Sequence, residues 1–231
     1  MMTTVEERLD RLEATNEKQK LQIERLQAAR EIENMMSQYE YYHVNWRHKD
    51  VMAMYSKKPS TRVYFGEMGY WEGSDAPQKA WALLDRLSPR PGEMHFHPTF
   101  CPIVEVAADG KTAKGVWTTW GFETMPDPKT GKLLPQYSWG TYGVDFIKED
   151  GTWKFWHFHI YRLCMYTYDK PWTELDGWNP TAQEGQGMHV PDDIKPNGPG
   201  IDDYPYRRDK VVVIKPDPPL PYETWKDTTM Y

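Results

Sequence analysis

Two Asp-Gly turns, Asp109-Gly110 and Asp150-Gly151, constrain the fold of this chain more than any other feature of its sequence. Each turn joins two long segments rich in β-branched and aromatic residues, which is the pattern of a tight β-hairpin. A Pro- and Gly-rich loop over 126–135 separates the two hairpins. The sequence therefore predicts four long antiparallel strands, over 94–107, 112–122, 137–148 and 152–166.

Helices and short strands are predicted ahead of this sheet. A helix over 30–55 carries apolar and aromatic residues near one face and ends before Pro59. Strand candidates at 61–65 and around 70–71 follow, and then a helix over 76–87 with Pro77 in its first turn. This order predicts an α+β fold in which helices back one curved antiparallel sheet, and such a sheet tends to enclose an apolar pocket.

The first 29 residues have a heptad pattern with charged flanks. Its seam consists of Val5, Leu9, Leu12, Asn16, Gln19, Ile23 and Leu26. One interpretation is an amphipathic helix lying on its own domain, and the other is a short coiled coil that joins subunits. The narrow seam, charged on both sides, favours the coiled coil, and a core Asn16 is compatible with a dimer.

The chain therefore divides into an oligomerisation helix (1–29), a central domain (30–168) and a Pro-rich arm (169–231). Within the arm only 210–215 (KVVVIK) has the pattern of a strand. The arm retains several Trp and Tyr residues, so we expect it to pack on the body or on a neighbouring subunit.

Composition excludes several classes of protein. A net charge of −6 argues against nucleic acid as a partner, and a mean hydropathy of −0.81 without a long apolar run argues against a membrane span. The two cysteines form no CxxC pair, and the N-terminal segment has no apolar targeting region, so a cytoplasmic protein is expected. Neither GxSxG nor a nucleotide-binding glycine motif occurs, which leaves cofactor-free proton transfer, elimination or simple binding.

Six of the seven histidines occur in pairs: His43 with His48, His95 with His97, and His157 with His159. The last two pairs are HxH on strand candidates, so each pair shares one face of its strand, a spacing that could hold a metal ion. No acidic residue lies at a short fixed spacing from them, and a core or hydrogen-bonding role is the alternative. His95 follows a Pro-Gly break at the rim of the sheet and is the best general acid/base candidate.

Three segments of the chain are similar to the SnoaL-like branch of the nuclear transport factor 2-like (NTF2-like) superfamily. They are IENMMSQYEYYHVNWRHKDVMAMYS, EMHFHPTFCPIVEVAADGKTAKGVWTTWGFE and YGVDFIKEDGTWKFWHFHIYR, within residues 30–165. The resemblance implies a cone-shaped α+β barrel. Within the superfamily the chain resembles two groups of cofactor-free lyases, the bile acid 7α-dehydratases and the γ-formaldehyde lyases of lignin catabolism.

The resemblance to the dehydratases, which are homotrimers, assigns catalytic residues. Tyr39 matches their tyrosine and His95 their histidine. Their first aspartate falls on or near Asn45, with His43 beside it, and their second falls at Gly121, so both acids are replaced in this chain. From strand placement we assign the pocket wall and substrate contacts to Tyr64, His97, Trp117, Tyr142 and His159.

The predicted function is a cofactor-independent lyase acting on a hydrophobic aromatic alcohol, most specifically a γ-formaldehyde lyase on diarylpropanes. The large number of Trp and Tyr residues suits such a two-ring substrate, since the aromatic rings of a substrate can stack on those side chains. The alternatives are a dehydratase of a hydroxylated ring or steroid, a non-catalytic ligand-binding protein, and a metal enzyme that uses the HxH pairs.

Overall fold

A computed structural model describes residues 4–87, 91–127, 130–174, 191–200 and 206–231. Its α-helices are α1 (Val5–Val44), α2 (His48–Ala53) and α3 (Ala76–Leu87). Single 3₁₀ turns occupy Gly66–Met68, Trp172–Glu174, Asp192–Ile194 and Trp225–Asp227. No helix within these ranges is both long enough and apolar enough to cross a membrane.

One continuous helix, α1, replaces the two helices that the sequence predicted. It starts at a capping box in which Thr4 and Glu7 satisfy each other's backbone N–H groups. No Pro or Gly interrupts the next 40 residues, so the change of apolar pattern near residue 29 does not break the helix. The helix ends earlier than expected, at Val44, because Trp46 adopts a positive φ of 57° and redirects the chain into α2.

Seven strands form one mixed sheet in the order β2-β1-β7-β6-β5-β3, and β4 also pairs with β5. The strands are β1 (Arg62–Phe65), β2 (Tyr70–Glu72), β3 (Met94–Phe96), β4 (Thr99–Val106), β5 (Thr112–Pro126), β6 (Leu133–Glu149) and β7 (Thr152–Thr167). The four long strands are antiparallel as predicted, whereas β1 runs parallel to β7. The sheet stays open between its β2 and β3 edges, so the barrel that the resemblance implies is not closed.

The predicted first long strand, over 94–107, is two strands in the structure. Pro98 lies between β3 and β4. Both strands pair with β5: β3 pairs with residues 122–124, and β4 pairs with residues within 113–119. The short β3 ends beside the last turn of α1, and this places its histidines next to that helix.

The hydrophobic core lies between the concave face of the sheet and the helices. α1 enters it only from Ala28 onward, where Ile32, Met36 and Tyr39 are fully or almost fully buried. Every residue from Thr4 to Glu24 is exposed, so the first half of α1 extends away from the body.

The described parts of the C-terminal arm pack on the body, which is one of the two arrangements that the sequence left open. Its first described part places Ile194 against α3 and β2, where the Ile194 carbonyl accepts a hydrogen bond from Trp71 Nε1 (2.8 Å). Its last part, 206–231, covers much of the convex face of the sheet. The predicted strand 210–215 is wrong, since this extended segment joins no strand ladder among the described residues. Residues 175–190, with Trp178, and 201–205, with Tyr204, lie outside the described ranges.

Candidate active site

The last turns of α1 carry three polar side chains into the core. Tyr39, Glu40 and His43 are all buried, and helical spacing puts them on one face. The Tyr39 and His43 rings lie nearly parallel, with centroids 5.8 Å apart. The sequence therefore places a phenol, a carboxyl and an imidazole side by side in an apolar environment.

The strand edge opposite α1 adds two imidazoles and a second carboxylate. The His97 backbone N–H donates to Glu40 Oε1 (2.7 Å), while His97 Nε2 lies 2.8 Å from Glu123 Oε1. The His97 ring also stacks on His43 at 5.6 Å, and His95 lies 5.8 Å from His43. We call Tyr39, Glu40, His43, His95, His97 and Glu123 the inner cluster.

Glycine at position 121 makes this approach possible. A Cβ at Gly121 would overlap His97 Cδ2 and would lie 2.5 Å from the Phe96 carbonyl oxygen. The resemblance expects an acid at position 121, and the carboxylate of Glu123 lies two residues further along on the same face of β5.

The two carboxyl groups of the inner cluster have pKa values shifted in opposite directions. Burial opposes ionisation of Glu123, but His97 and Arg162 overcome it and hold its pKa well below the usual range. Arg162 Nη1 is 3.5 Å from Glu123 Oε1 and donates to Ser138 Oγ at 2.6 Å. For Glu40 burial dominates and raises the pKa to about 7, with His97 opposing the shift. Glu123 is therefore a fixed anion, whereas Glu40 exchanges a proton near neutral pH.

Two imidazoles of the inner cluster, His95 and His43, are kept neutral. Burial lowers the pKa of His95 to about 4, against the opposing charge of Glu123. Burial, together with the neighbouring His97, His95 and His48, also lowers the pKa of His43. At pH 7 both rings therefore present a lone pair that can accept a proton.

Two polar atoms of the inner cluster are buried without a hydrogen bond of normal geometry among the described residues: the Tyr39 hydroxyl and Glu40 Oε2. The Tyr39 and Tyr142 hydroxyls are close enough to interact electrostatically, and burial raises the pKa of both. Buried polar atoms are nearly always hydrogen-bonded in folded proteins. These two atoms therefore lack the partner that buried polar atoms normally have.

Aromatic rings surround the inner cluster. Trp46 lies against His95 (centroids 4.6 Å apart), Trp81 against His43 (5.4 Å), and Phe158 against Tyr39 (5.0 Å). Such walls exclude water and offer flat apolar faces to a ring-containing molecule.

The structure brings together some of the residues that the sequence assigned to the site and separates others. Tyr39, His43, His95, His97 and Tyr142 meet in or beside the inner cluster. Asn45 is exposed at the end of α1, where its amide donates to the Tyr41 carbonyl, and it does not reach the cluster. Trp117 lies in the core against Phe146. Tyr64 and His159 contact each other on the opposite face of the sheet, with ring centroids 4.0 Å apart.

Sequence reasoning missed Glu40, Glu123 and Arg162. Glu40 carried a usable signal, since it lies three residues before His43 and four after Met36 on a face that is otherwise buried. Glu123 shares a strand face with Gly121, but its pairing with His95 depends on the break between β3 and β4. Nothing local to Arg162 identifies its partners.

The two HxH pairs do not meet. His95 and His97 face the concave side, whereas His157 is hydrogen-bonded to Asp145 on the convex side and contacts the Trp225 ring of the arm. The hypothesis of one metal site built from both pairs is therefore wrong. Within the described ranges, no three His, Cys, Asp or Glu side chains converge as a metal site.

A separate groove of about 310 Å³ opens on the convex face, between the sheet and the arm. Phe100, Trp120, Trp139 and Ile214 line it, with threonine hydroxyls and Lys215. None of the residues of the inner cluster line it.

An open curved sheet whose concave face holds acid and base groups under a long helix is the architecture of NTF2-like proteins. The model of the SnoaL-like domain family matches residues 24–159, more than half of the sequence. The chain therefore belongs to the SnoaL-like family. A comparison with curated protein sequences gave no match.

Solved structures support the same fold. The chain is similar to a putative scytalone dehydratase from Novosphingobium aromaticivorans DSM 12444, with 19% identity, a TM-score of 0.51, and coverage of 65% of this chain and 93% of that one. It is also similar to the hexachlorocyclohexane dehydrochlorinase LinA-type3 from Novosphingobium barchaimii LL02, with 12% identity, a TM-score of 0.53, and coverage of 65% and 96%. At these identities the likeness establishes the fold alone.

Proposed function

We propose that this protein is a cofactor-independent lyase that eliminates a hydroxyl group from an apolar, aromatic alcohol bound at the inner cluster. One observation carries the proposal: proton donors and neutral proton acceptors lie side by side in a buried aromatic enclosure, with two polar atoms left for a ligand. Elimination needs such a pair, an acid for the leaving oxygen and a base for the proton that is lost.

The roles follow from the ionisation of each group. The Tyr39 hydroxyl, with Glu40 in its protonated form beside it, donates to the departing hydroxyl, and His95 accepts the substrate proton in its neutral form. His43 supports the base from the adjacent turn of α1. Glu123 remains ionised and balances the positive charge that develops on the imidazoles.

We propose further that the substrate is a phenolic diarylpropane and that formaldehyde is released. Loss of the benzylic hydroxyl as water, driven by the phenol, gives a quinone methide. Removal of the proton from the side-chain hydroxyl then breaks the adjacent carbon–carbon bond. Formaldehyde leaves, and the bonding electrons restore the phenol of a stilbene. The rings of Trp46, Trp81 and Phe158 supply faces on which two aryl groups could stack.

The test is to offer chelator-treated protein a panel of phenolic diarylpropane diols and hydroxysteroids, with formaldehyde and product mass read together. Water and formaldehyde lost together support the full proposal. Water lost alone supports elimination but overturns the formaldehyde step. Binding without turnover, for every compound, overturns the lyase and favours a ligand-binding protein.

Variants assign the roles. His95→Ala and Tyr39→Phe should each lower kcat by roughly 10² to 10⁴-fold. Tyr41→Phe is the matched control, because Tyr41 lies two residues along the same helix but is 74% exposed. Activity of His95→Ala within a few-fold of wild type would remove His95 from the mechanism.

A further inference from the structure

Three side chains from three different helices form a hydrogen-bonded chain that leads outward from the inner cluster. His43 Nδ1, at the end of α1, lies 3.1 Å from His48 Nε2 at the start of α2. His48 Nδ1 lies 2.6 Å from Asp85 Oδ1 in α3. We infer that His43, His48 and Asp85 form a proton relay between the inner cluster and solvent, an inference that rests on the proposed proton chemistry of that cluster.

An unusual backbone connection brings the side chains of this relay together. Trp46, in the linker between α1 and α2, has a positive φ, so the polypeptide backbone reverses direction and places His48 beneath His43. A positive φ is costly for a bulky residue and persists only where the surrounding structure enforces it. The strained linker is thus what brings the two imidazoles to hydrogen-bonding distance.

The relay assigns one tautomer to each ring. A carboxylate only accepts hydrogen bonds, so His48 Nδ1–H donates to Asp85 Oδ1. In the relay, the lone pair of His48 Nε2 accepts a hydrogen bond from His43 Nδ1–H. His43 Nε2 is left without a proton at the inner end, ready to accept one.

The three hydrogen-bonded side chains differ in burial, and this difference sets the direction in which a proton leaves the inner cluster. The His48 side chain has no exposed surface, whereas that of Asp85 is 38% exposed. Trp46 and Trp81 lie against the His48 ring. A proton taken up at the inner cluster therefore has a bonded path through His48 to a carboxylate that water can reach.

The environment of His43 disfavours storing a proton there. Burial lowers its pKa, His97, His95 and His48 lower it further, and Glu123 opposes them. Its other close neighbours are the neutral rings of Tyr39 and Trp81. When His43 Nε2 accepts a proton, Nδ1 passes one to His48 Nε2, and His48 Nδ1 passes one to Asp85. Each ring ends neutral with its tautomer reversed, and reorientation or back-transfer restores it.

The first test needs no substrate. Two-bond proton–nitrogen correlations on ¹⁵N-histidine-labelled protein report which ring nitrogen is protonated, with His48→Gln used for assignment. The relay requires Nδ1–H on both His43 and His48. An Nε2–H tautomer on neutral His43 would break the chain and overturn the inference, whatever the enzyme's substrate proves to be.

The second test separates a relay from a structural contact. In Asp85→Asn the amide oxygen still accepts from His48, so the rings keep their places, but the amide cannot take up a proton. We expect slower exchange of the His43 ring proton with water and a kcat lower by roughly tenfold or more on any substrate that turns over. Asp85→Glu should restore both values. Unchanged exchange and kcat in Asp85→Asn would overturn the relay.

Asp75→Asn is the matched control, since Asp75 is an exposed carboxylate just ahead of the same helix. If the wild-type protein turns over nothing in the panel, the proposed function fails. The tautomers and the exchange rates then still decide whether the proton path exists.

Discussion

Ionisation of Glu40 opposes folding near neutral pH, because burial raises the pKa of this group from 4.5 to about 7. A raised pKa in the folded state gives stability that is fully present below the unfolded value and is lost as the pH rises through the folded value. The window therefore runs from about pH 4.5 to about pH 7, and the loss is roughly 3 kcal/mol at its upper end.

Glu40→Gln should therefore stabilise the protein at pH 8 by up to roughly 3 kcal/mol and by much less at pH 5. Urea unfolding at both pH values measures this difference. Glu31→Gln, a change at an exposed position of the same helix, is the control and should show no pH-dependent gain. An equal effect of Glu40→Gln at both pH values would contradict the raised pKa. The same substitution should lower kcat under the proposed mechanism, so stability and activity would change in opposite directions.

Gly121 tests whether close packing positions His97. Gly121→Ala would place a methyl group against the His97 ring and against the Phe96 carbonyl, and the backbone cannot move aside cheaply. We expect a loss of about 1–3 kcal/mol in unfolding free energy and displacement of His97 from Glu123. Thermal unfolding and the His97 ring resonances measure the two effects. Unchanged resonances would show that Glu123 holds His97 without help from the glycine.

At the scale of the residue, the sequence predicted the members of the inner cluster that have a local signature. Tyr39 was assigned from the resemblance and His43 as the neighbour of Asn45, while His95 was assigned from its place after a Pro-Gly break and His97 from strand placement within an HxH pair. Glu123 and Asp85 were not, because their roles depend on strand register and helix packing, which spacing along the chain does not encode. At position 121 the sequence has a glycine where the resemblance expects an acid, and only the fold shows that Glu123, two residues away, contacts His97.

Elements with strong turn and capping signals were predicted closely. α3 has the predicted bounds, and both Asp-Gly hairpins occur where the sequence placed them. The errors arose where tertiary contacts decide the outcome. The end of α1 has no breaking residue, and 210–215 has strand composition but no neighbouring strand to pair with.

The exposed half of α1 predicts self-association. Leu9, Leu12, Ile23 and Leu26 are each at least half exposed, and every described residue of the helix before Arg25 is exposed. Most helical stability in proteins comes from packing of an apolar face, so we expect this seam to pair with the same seam of another copy. The number of copies is a separate prediction, a trimer by family resemblance or a dimer by the core Asn16.

Leu12→Glu should therefore reduce the molecular mass of the particle measured by light scattering after gel filtration. Ala14→Glu adds the same charge two residues away, on the outer face of the predicted coiled coil, and should leave the mass unchanged. If both variants keep the wild-type mass, the heptad seam does not hold the subunits together.

At the scale of the whole molecule, the two faces of the sheet carry different groups. The concave face carries the inner cluster, while the convex face is clamped by the C-terminal arm through a buried ionic network. Asp145, which has no exposed surface, accepts hydrogen bonds from Lys114 Nζ (2.5 Å), His157 Nδ1 (2.9 Å) and the Tyr231 backbone N–H (3.0 Å). His157 is thus a structural residue, as the core alternative for its HxH pair proposed.

Removing the charge of Asp145 should release this clamp. In Asp145→Asn the buried Lys114 ammonium loses its counter-ion, and breaking a buried pair in this way costs about 3–5 kcal/mol. Lys114 would keep the Thr229 carbonyl and the Tyr231 ring as partners, so part of the arm should remain docked but open more often. We expect a lower urea midpoint and faster proteolysis within 206–231.

Asp217→Asn, which removes an exposed arm carboxylate paired with Lys215, should change stability by less than about 1 kcal/mol. If the two variants behave alike, the arm is held by its aromatic contacts, such as Trp225 on Trp156, and not by the buried charges.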